Sequence, residues 1–194
     1  MKIRLNTPIN SSSGYAEMGR RMFTIFSKEN EVGCVDIKHQ PTSVDLGPIA
    51  QQMNSSKIES VDFNMVNMVP DLWKHFLTQE KNIGMTTFEA DLLPAHWVPI
   101  MNQMSGIITT SEWNADVMRK SGVTTPVLAL SPAFEKKSSI YGGGELRFGA
   151  SFQWSKRKNY TGLIRAFCMA FPNKENVSLN IKTHIDGKNE DQIP

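Results

Sequence analysis

The sequence predicts an α/β protein: a mainly parallel sheet with helices on both faces. Three observations carry this. Short apolar runs of strand length alternate along the chain with segments of helical period. Each pair of successive strands is separated by a helical pattern, the spacing of parallel β-α-β units. The composition, 40% hydrophobic and 21% charged over 194 residues, is that of an ordinary globular protein with one good core and room for part of a second.

The elements follow in order. Met1 to Pro8 reads as a strand through Ile3 and Leu5, and Ser11 to Tyr15 as a loop. Tyr15 to Phe26 is helical, with Met18, Met22, Phe23 and Phe26 on one face. Val32 to Ile37 is the second strand. The stretch from His39 to Ser60 is weakly patterned, with one amphipathic helix around Ile49 to Met53. Val61 to Val69 alternates as a strand, Pro70 to Thr78 reads as a short helix, and Lys81 to Phe88 as the next strand. Pro94 to Met104 is expected to be helical, with Pro94 in the first turn, where its missing N–H costs nothing. Gly106 to Thr110 is a strand. Ser111 then caps a helix running to Lys120, which Ser121 and Gly122 end. Val127 to Leu130 closes this set.

The expected organisation is a domain over 1–141, a linker at 142–145 built on Gly142, Gly143 and Gly144, and a new β-α-β set within 146–194. That set comprises a strand at Phe148 to Phe152, a helix at Tyr160 to Phe171 and a strand at Val177 to Thr183. The tail from Asp186 to Pro194 is polar and expected to fray.

Composition also excludes. A net charge of +2 is too small to argue for a nucleic-acid partner, and none is predicted. No run approaches the roughly 18 apolar residues that a membrane span needs, and no secretory signal pattern opens the chain. Cys34 and Cys168 lack metal-ligand spacing and read as two buried thiols in a reducing compartment. A cytoplasmic protein is expected. The four histidines are scattered without metal spacing, so no metal or cofactor is predicted. Met101 and Met104 read as core, and Trp97 and Trp113 as core or site-wall anchors.

In parallel sheets of this class, ligands sit beyond the carboxyl ends of the strands. That rule selects the loops Asn10–Gly14, Thr86–Asp91, Thr109–Glu112 and Phe152–Asn159. The last is the most informative. A strand delivers Lys156, Arg157 and Lys158 to the start of a helix, where unpaired N–H groups and the helix dipole favour phosphate. The first strand is not followed by a G-x-G-x-x-G fingerprint, which argues against a dinucleotide oxidoreductase.

Four segments resemble one branch of the family 4 glycosyltransferases, which have the GT-B fold. Ser13-Gly-Tyr-Ala-Glu-Met-Gly-Arg-Arg21 is similar to the glycine loop after the first strand. Thr87-Phe-Glu-Ala-Asp-Leu-Leu-Pro94 resembles that branch's acidic loop, and Ser111 to Val127 its capped helix and following strand. Phe152-Gln-Trp-Ser-Lys-Arg-Lys-Asn159 resembles its basic turn. The resemblance implies two Rossmann-like domains with a cleft between them, an acceptor side in the N-terminal one and a donor side in the C-terminal one. It implies a retaining hexosyltransferase-type enzyme that moves a sugar from a nucleotide-sugar donor to the hydroxyl of a glycan, lipid or other acceptor, typically without a bound metal. It also implies that 146–194 is the incomplete start of the donor domain, so that these residues alone transfer little sugar. The alternative is a noncatalytic Rossmann-like module that binds a nucleotide or a sugar.

By this resemblance Lys156 and Lys158 pair with the donor phosphates, with Gly14 letting backbone amides approach them. Glu89 is the candidate catalytic carboxylate, binding or orienting an acceptor hydroxyl. Tyr15, Asp91 and Arg157 are candidates for lining the cleft. Each has a plainer reading: a solvated cationic turn, a loop glycine, a helix-packing tyrosine, or acidic caps ahead of the helix expected at Pro94. The chain departs from the family at two positions. Phe152 stands where many members carry an arginine, and Asn159 replaces the usual glycine.

Overall fold

The computed structural model describes residues 1–39, 45–132, 144–172 and 176–184. The part of the weakly patterned stretch at 40–44, two of the linker glycines, Gly142 and Gly143, and the tail at 186–194 lie outside the described residues. The chain divides into two compact units, Met1–Glu135 and Lys136–Pro194.

The first unit runs β1 (Lys2–Thr7), α1 (Gly14–Phe26), β2 (Glu31–Asp36), α2 (Gly47–Ser55), β3 (Phe63–Asn67), α3 (Pro70–Trp73), β4 (Lys81–Met85), α4 (Trp97–Met101), β5 (Gly106–Thr109), α5 (Glu112–Lys120) and β6 (Val127–Ala129). The six strands form one sheet in the order β2-β1-β3-β4-β5-β6, every neighbouring pair parallel. The period-2 alternation of strand side chains divides the core in two. Ile3 and Leu5 of β1, Met65 of β3 and Met85 of β4 pack with Met22 and Phe23 of α1 and Met53 of α2. Val66 of β3 and Ile107 of β5 pack instead with Trp73 of α3, Trp97 and Met101 of α4, and Val117 and Met118 of α5. Adjacent Met65 and Val66 are both buried, each on its own face, as a central parallel strand requires. Burying each such side chain contributes about 1.5–3 kcal/mol.

Two helices are shorter than the sequence predicts. The helix expected over Pro70 to Thr78 stops at Trp73. Buried asparagines capture the backbone beyond it: Asn64 Nδ2 donates to the Phe76 carbonyl, while Asn82 donates to the Thr78 carbonyl and accepts from the Thr78 N–H. The helix expected from Pro94 to Met104 spans only Trp97–Met101. Pro94 lies in a preceding turn, its carbonyl accepting from the Trp97 N–H. At the other end the Thr125 hydroxyl takes the Met101 carbonyl, and Met104 closes onto Met101 in a tight turn.

The second unit contains β7 (Leu146–Gln153), a 3-10 turn (Lys156–Lys158), α6 (Tyr160–Ala170) and β8 (Val177–His184). β7 and β8 are parallel neighbours, so α6 is the crossover of a β-α-β unit. Phe148 of β7 meets Phe167 and Phe171, with ring centroids 5.8 and 5.3 Å apart, which seats α6 on the apolar face of the strand pair.

The thiols differ from expectation. Cys34 is buried, and burial pushes its pKa up to about 12, but Cys168 is exposed on α6. Among the described residues no helix is long and apolar enough to cross a membrane.

Candidate functional site

The strand order reverses between β1 and β3, and in parallel sheets of this class ligands sit beyond the strand carboxyl ends at such a reversal. The loop between β1 and α1 is tied down from both sides. Asp36, at the end of β2, accepts from the Ile9 N–H at 2.8 Å, from Asn10 Nδ2 at 2.9 Å and from Lys38 Nζ at 2.6 Å. Burial alone would raise the Asp36 pKa; the hydrogen bonds from Lys38, Ile9 and Asn10 outweigh it and hold the carboxylate below its ordinary value. Arg20 of α1 reaches back to donate to the carbonyls of Ile9 at 3.2 Å and Ser11 at 3.1 Å. Ser13 caps α1, its hydroxyl accepting from the Ala16 N–H.

Gly14 is the first residue of α1 and is exposed, and a methyl group there would meet no neighbouring atom. Its φ lies outside the left-handed region, so the backbone does not demand glycine here; the missing side chain leaves open space instead. Tyr15 ties the ends of these strands together. Its carbonyl accepts from Asn67 Nδ2, at the end of β3, at 2.8 Å, and Asn67 also donates to Thr7 Oγ1, at the end of β1, at 2.9 Å. The Tyr15 phenol meets the Thr86 hydroxyl just past β4 at 2.9 Å. Thr7, Asn67 and Thr86 are all buried. They turn the strand ends into a preorganised polar floor.

Beyond β4, Glu89 and Asp91 are exposed on the loop that leads toward α4. No helix starts at Pro94, so neither carboxylate sits in a helical first turn. The loop is anchored on α5 at both ends: the Phe88 N–H donates to Asn114 Oδ1 at 2.7 Å, and the Leu93 N–H to Ser121 Oγ at 2.9 Å. Ser111 caps α5 as the sequence predicts, accepting from the Asn114 N–H at 3.2 Å. Thr109, at the end of β5, is fully buried, and its Oγ1 has no hydrogen-bond partner among the described residues.

In the second unit, Lys156, Arg157 and Lys158 occupy the single 3-10 turn between β7 and α6, and all three are exposed. The turn closes through the Lys158 N–H to the Ser155 carbonyl and the Asn159 N–H to the Lys156 carbonyl, both at 3.0 Å. Asn159 has φ 51°, the left-handed region that favours glycine and, next to it, asparagine. Its side chain also caps α6, accepting from the Gly162 N–H. Asparagine thus meets the backbone demand of the family's glycine position and adds a cap. Phe152, standing where the resemblance expects arginine, stacks on Trp154 at 6.2 Å, and Trp154 stacks on Tyr160 at 4.2 Å. The aromatic column braces the start of α6 where a cation was expected.

The structure gathers Lys156, Arg157 and Lys158 in one turn of the second unit. In the first unit it places Gly14 and Tyr15 at the strand crossover point and Glu89 and Asp91 on the loop braced by α5. The polar floor of Thr7, Asn67 and Thr86, and the anchors Arg20 and Asn114, escape sequence reasoning. Thr86 falls in a loop the sequence selects, and the polar ends of buried β1 and β3 signal Thr7 and Asn67; nothing local signals Arg20 or Asn114. Trp113, expected in the core or the site wall, is 52% exposed on the first turn of α5.

Compared with known proteins, the chain matches no family model and no curated protein. Among solved structures it superposes on Anabaena Alr3699/HepE, crystallised in complex with UDP and glucose, with a TM-score of 0.68 at 14% identity. The likeness fixes the fold. It covers 98% of this chain and 63% of that one, so this chain spans less than two thirds of HepE. The fold is Rossmann-like α/β: a parallel sheet with helices on both faces, followed by a separate β-α-β unit.

Proposed function

We propose that the chain belongs to a GT-B glycosyltransferase of the family 4 type, which transfers a sugar with retention from a nucleotide-sugar donor to an acceptor hydroxyl. In this reading the N-terminal Rossmann-like domain serves the acceptor, and the residues from 146 onward begin the donor domain. The observation that carries the reading is the fold likeness over 98% of the chain to a protein solved with UDP and glucose. The exposed cations ahead of α6 support it, because a departing nucleoside diphosphate needs that chemistry.

Breaking the bond between the sugar and the diphosphate leaves negative charge on the leaving group. Lys156 and Lys158 are suited to stabilise that charge, and the dipole at the start of α6 adds partial positive charge. Gly14, open in front of α1, would let phosphate oxygens approach backbone amides. In the first unit Glu89 is the candidate group that receives or orients the acceptor hydroxyl, with Asp91 and Tyr15 as further candidates there; in the second, Arg157 accompanies the two lysines.

Calorimetric titration with UDP tests the reading. The chain is expected to bind UDP, and Lys158→Ala and Lys156→Ala to weaken binding by about tenfold each, as loss of a charge-assisted contact implies. A chain that binds no nucleoside diphosphate, or lysine variants with unchanged affinity, would remove the cationic turn from the site.

A further inference from the structure

We infer that Trp113 is a carbohydrate-stacking platform and that the acceptor in the proposed reaction is a glycan; the inference rests on the glycosyltransferase reading above. Tryptophan is highly buried on average. The chain has four, and the other three are buried with clear duties. The Trp73 indole N–H donates to the Met68 carbonyl, that of Trp97 to Asp71 Oδ2, and Trp154 stands in the aromatic column. Trp113 is 52% exposed, and it makes no hydrogen bond or ring contact among the described residues.

Its position is as informative as its exposure. The buried positions of α5 are Asn114, Ala115, Val117 and Met118, so Trp113 shares the solvent face with Glu112, Asp116 and Lys120. Helical Cα–Cβ bonds tilt toward the helix N-terminus, so a residue in the first turn covers surface at the end of the preceding strand. For Trp113 that surface is the junction of β5 and α5, on the carboxyl edge of the sheet. The same junction holds the buried, unpartnered hydroxyl of Thr109. The hydrogen bond from the Phe88 N–H to Asn114 brings the acidic loop of Glu89 and Asp91 to this turn.

An exposed indole beside carboxylates fits a pyranose. The ring presents C–H groups on one face, which lie against an aromatic plane, and hydroxyls at its rim, which donate to carboxylate oxygens. Glu112, exposed in the same first turn of α5, offers a carboxylate that can accept such hydroxyls. The lipid part of an acceptor would use the indole but not the Glu112 carboxylate.

The test is an array of neutral oligosaccharides of glucose, galactose, mannose, xylose and N-acetylglucosamine. The intact chain is compared with Trp113→Ala, Trp113→Phe and Glu112→Gln, and UDP binding is measured in parallel. The chain is expected to bind at least one of these glycans with a blue shift of indole emission. Trp113→Ala should weaken that binding by at least about tenfold, while Trp113→Phe retains most of it. Unchanged UDP affinity in every variant would separate this surface from the cationic turn. No binding to any glycan, or binding indifferent to Trp113→Ala, overturns the inference whatever the UDP result. A Trp113→Ala variant that instead changes the oligomeric state in size-exclusion chromatography assigns the indole to a protein interface and overturns it too. Glycan binding through Trp113 without UDP binding would uphold the platform and sink the transferase reading alone.

Discussion

Tyr15 and Thr86 meet hydroxyl to hydroxyl at 2.9 Å across the carboxyl ends of the central strands. The contact joins the first turn of α1 to the segment after β4, 71 positions further along the sequence. The Tyr15 carbonyl is held at the same time by Asn67, so the residue is fixed at both ends. A site built on it is set before any ligand arrives. Tyr15→Phe and Thr86→Val are each expected to cost about 0.5–1.5 kcal/mol in urea denaturation, and the double variant less than the sum. Strict additivity would show that the two hydroxyls do not work as a pair.

Asn159 combines a left-handed backbone with a helix cap. Asn159→Ala loses the cap, about 1 kcal/mol, and keeps a β-carbon in the left-handed region without the local hydrogen bonding by which asparagine tolerates it. Asn159→Gly relieves the backbone and costs only a few tenths through the cap. Hydrogen exchange of the α6 amides should therefore rank Ala far below Gly, and equal protection in the two variants would contradict this account.

Asp36 makes the β1–α1 loop sensitive to acid. Its pKa is lower in the folded chain than its ordinary 3.8. A lowered carboxylate stabilises the fold above its unfolded pKa and loses that contribution as pH falls through the folded one. Asp36→Asn should thus be less stable than the wild type at pH 7, with the gap closing as pH falls below the ordinary carboxylate value. A constant gap in denaturant midpoints down to the lowest pH at which both fold would rule this out.

Gly84 lies against the ring of fully buried Trp73, and a β-carbon there would run into the indole. Gly84→Ala is expected to destabilise by about 1–3 kcal/mol, as overpacking does, and to shift the emission of Trp73. A variant as stable as the wild type would mean that the ring moves aside freely.

Arg20 holds the carbonyls of Ile9 and Ser11. Arg20→Ala should speed exchange of the amides at 9–13 while leaving those of β1 protected, because the strand keeps its parallel partners. Uniform loss of protection in both would show that Arg20 supports the whole sheet edge.

The amino-acid sequence by itself determined the kind and order of nearly every element. Strand and helix periods are local: Ile3 and Leu5, or Met22 and Phe23, declare their face within a few residues. The Ser111 cap and the basic turn at Lys156 to Lys158 are local too, since each depends on neighbours three or four positions away. Tertiary structure alone decided the rest. Asn6, Asn64 and Asn82 lie in β1, β3 and β4, far apart in sequence. Parallel registers bring them together as a buried ladder, with Asn6 donating to Asn64 and Asn64 to Asn82, each at 2.8 Å. That ladder, with its bonds to the Phe76 and Thr78 backbone, ends the helix expected to reach Thr78. The pairing of Tyr15 with Thr86 and the exposure of Trp113 have the same origin. A residue's own neighbours in sequence set its secondary structure, but its partner across the sheet and its access to water depend on which distant strand the chain lays beside it.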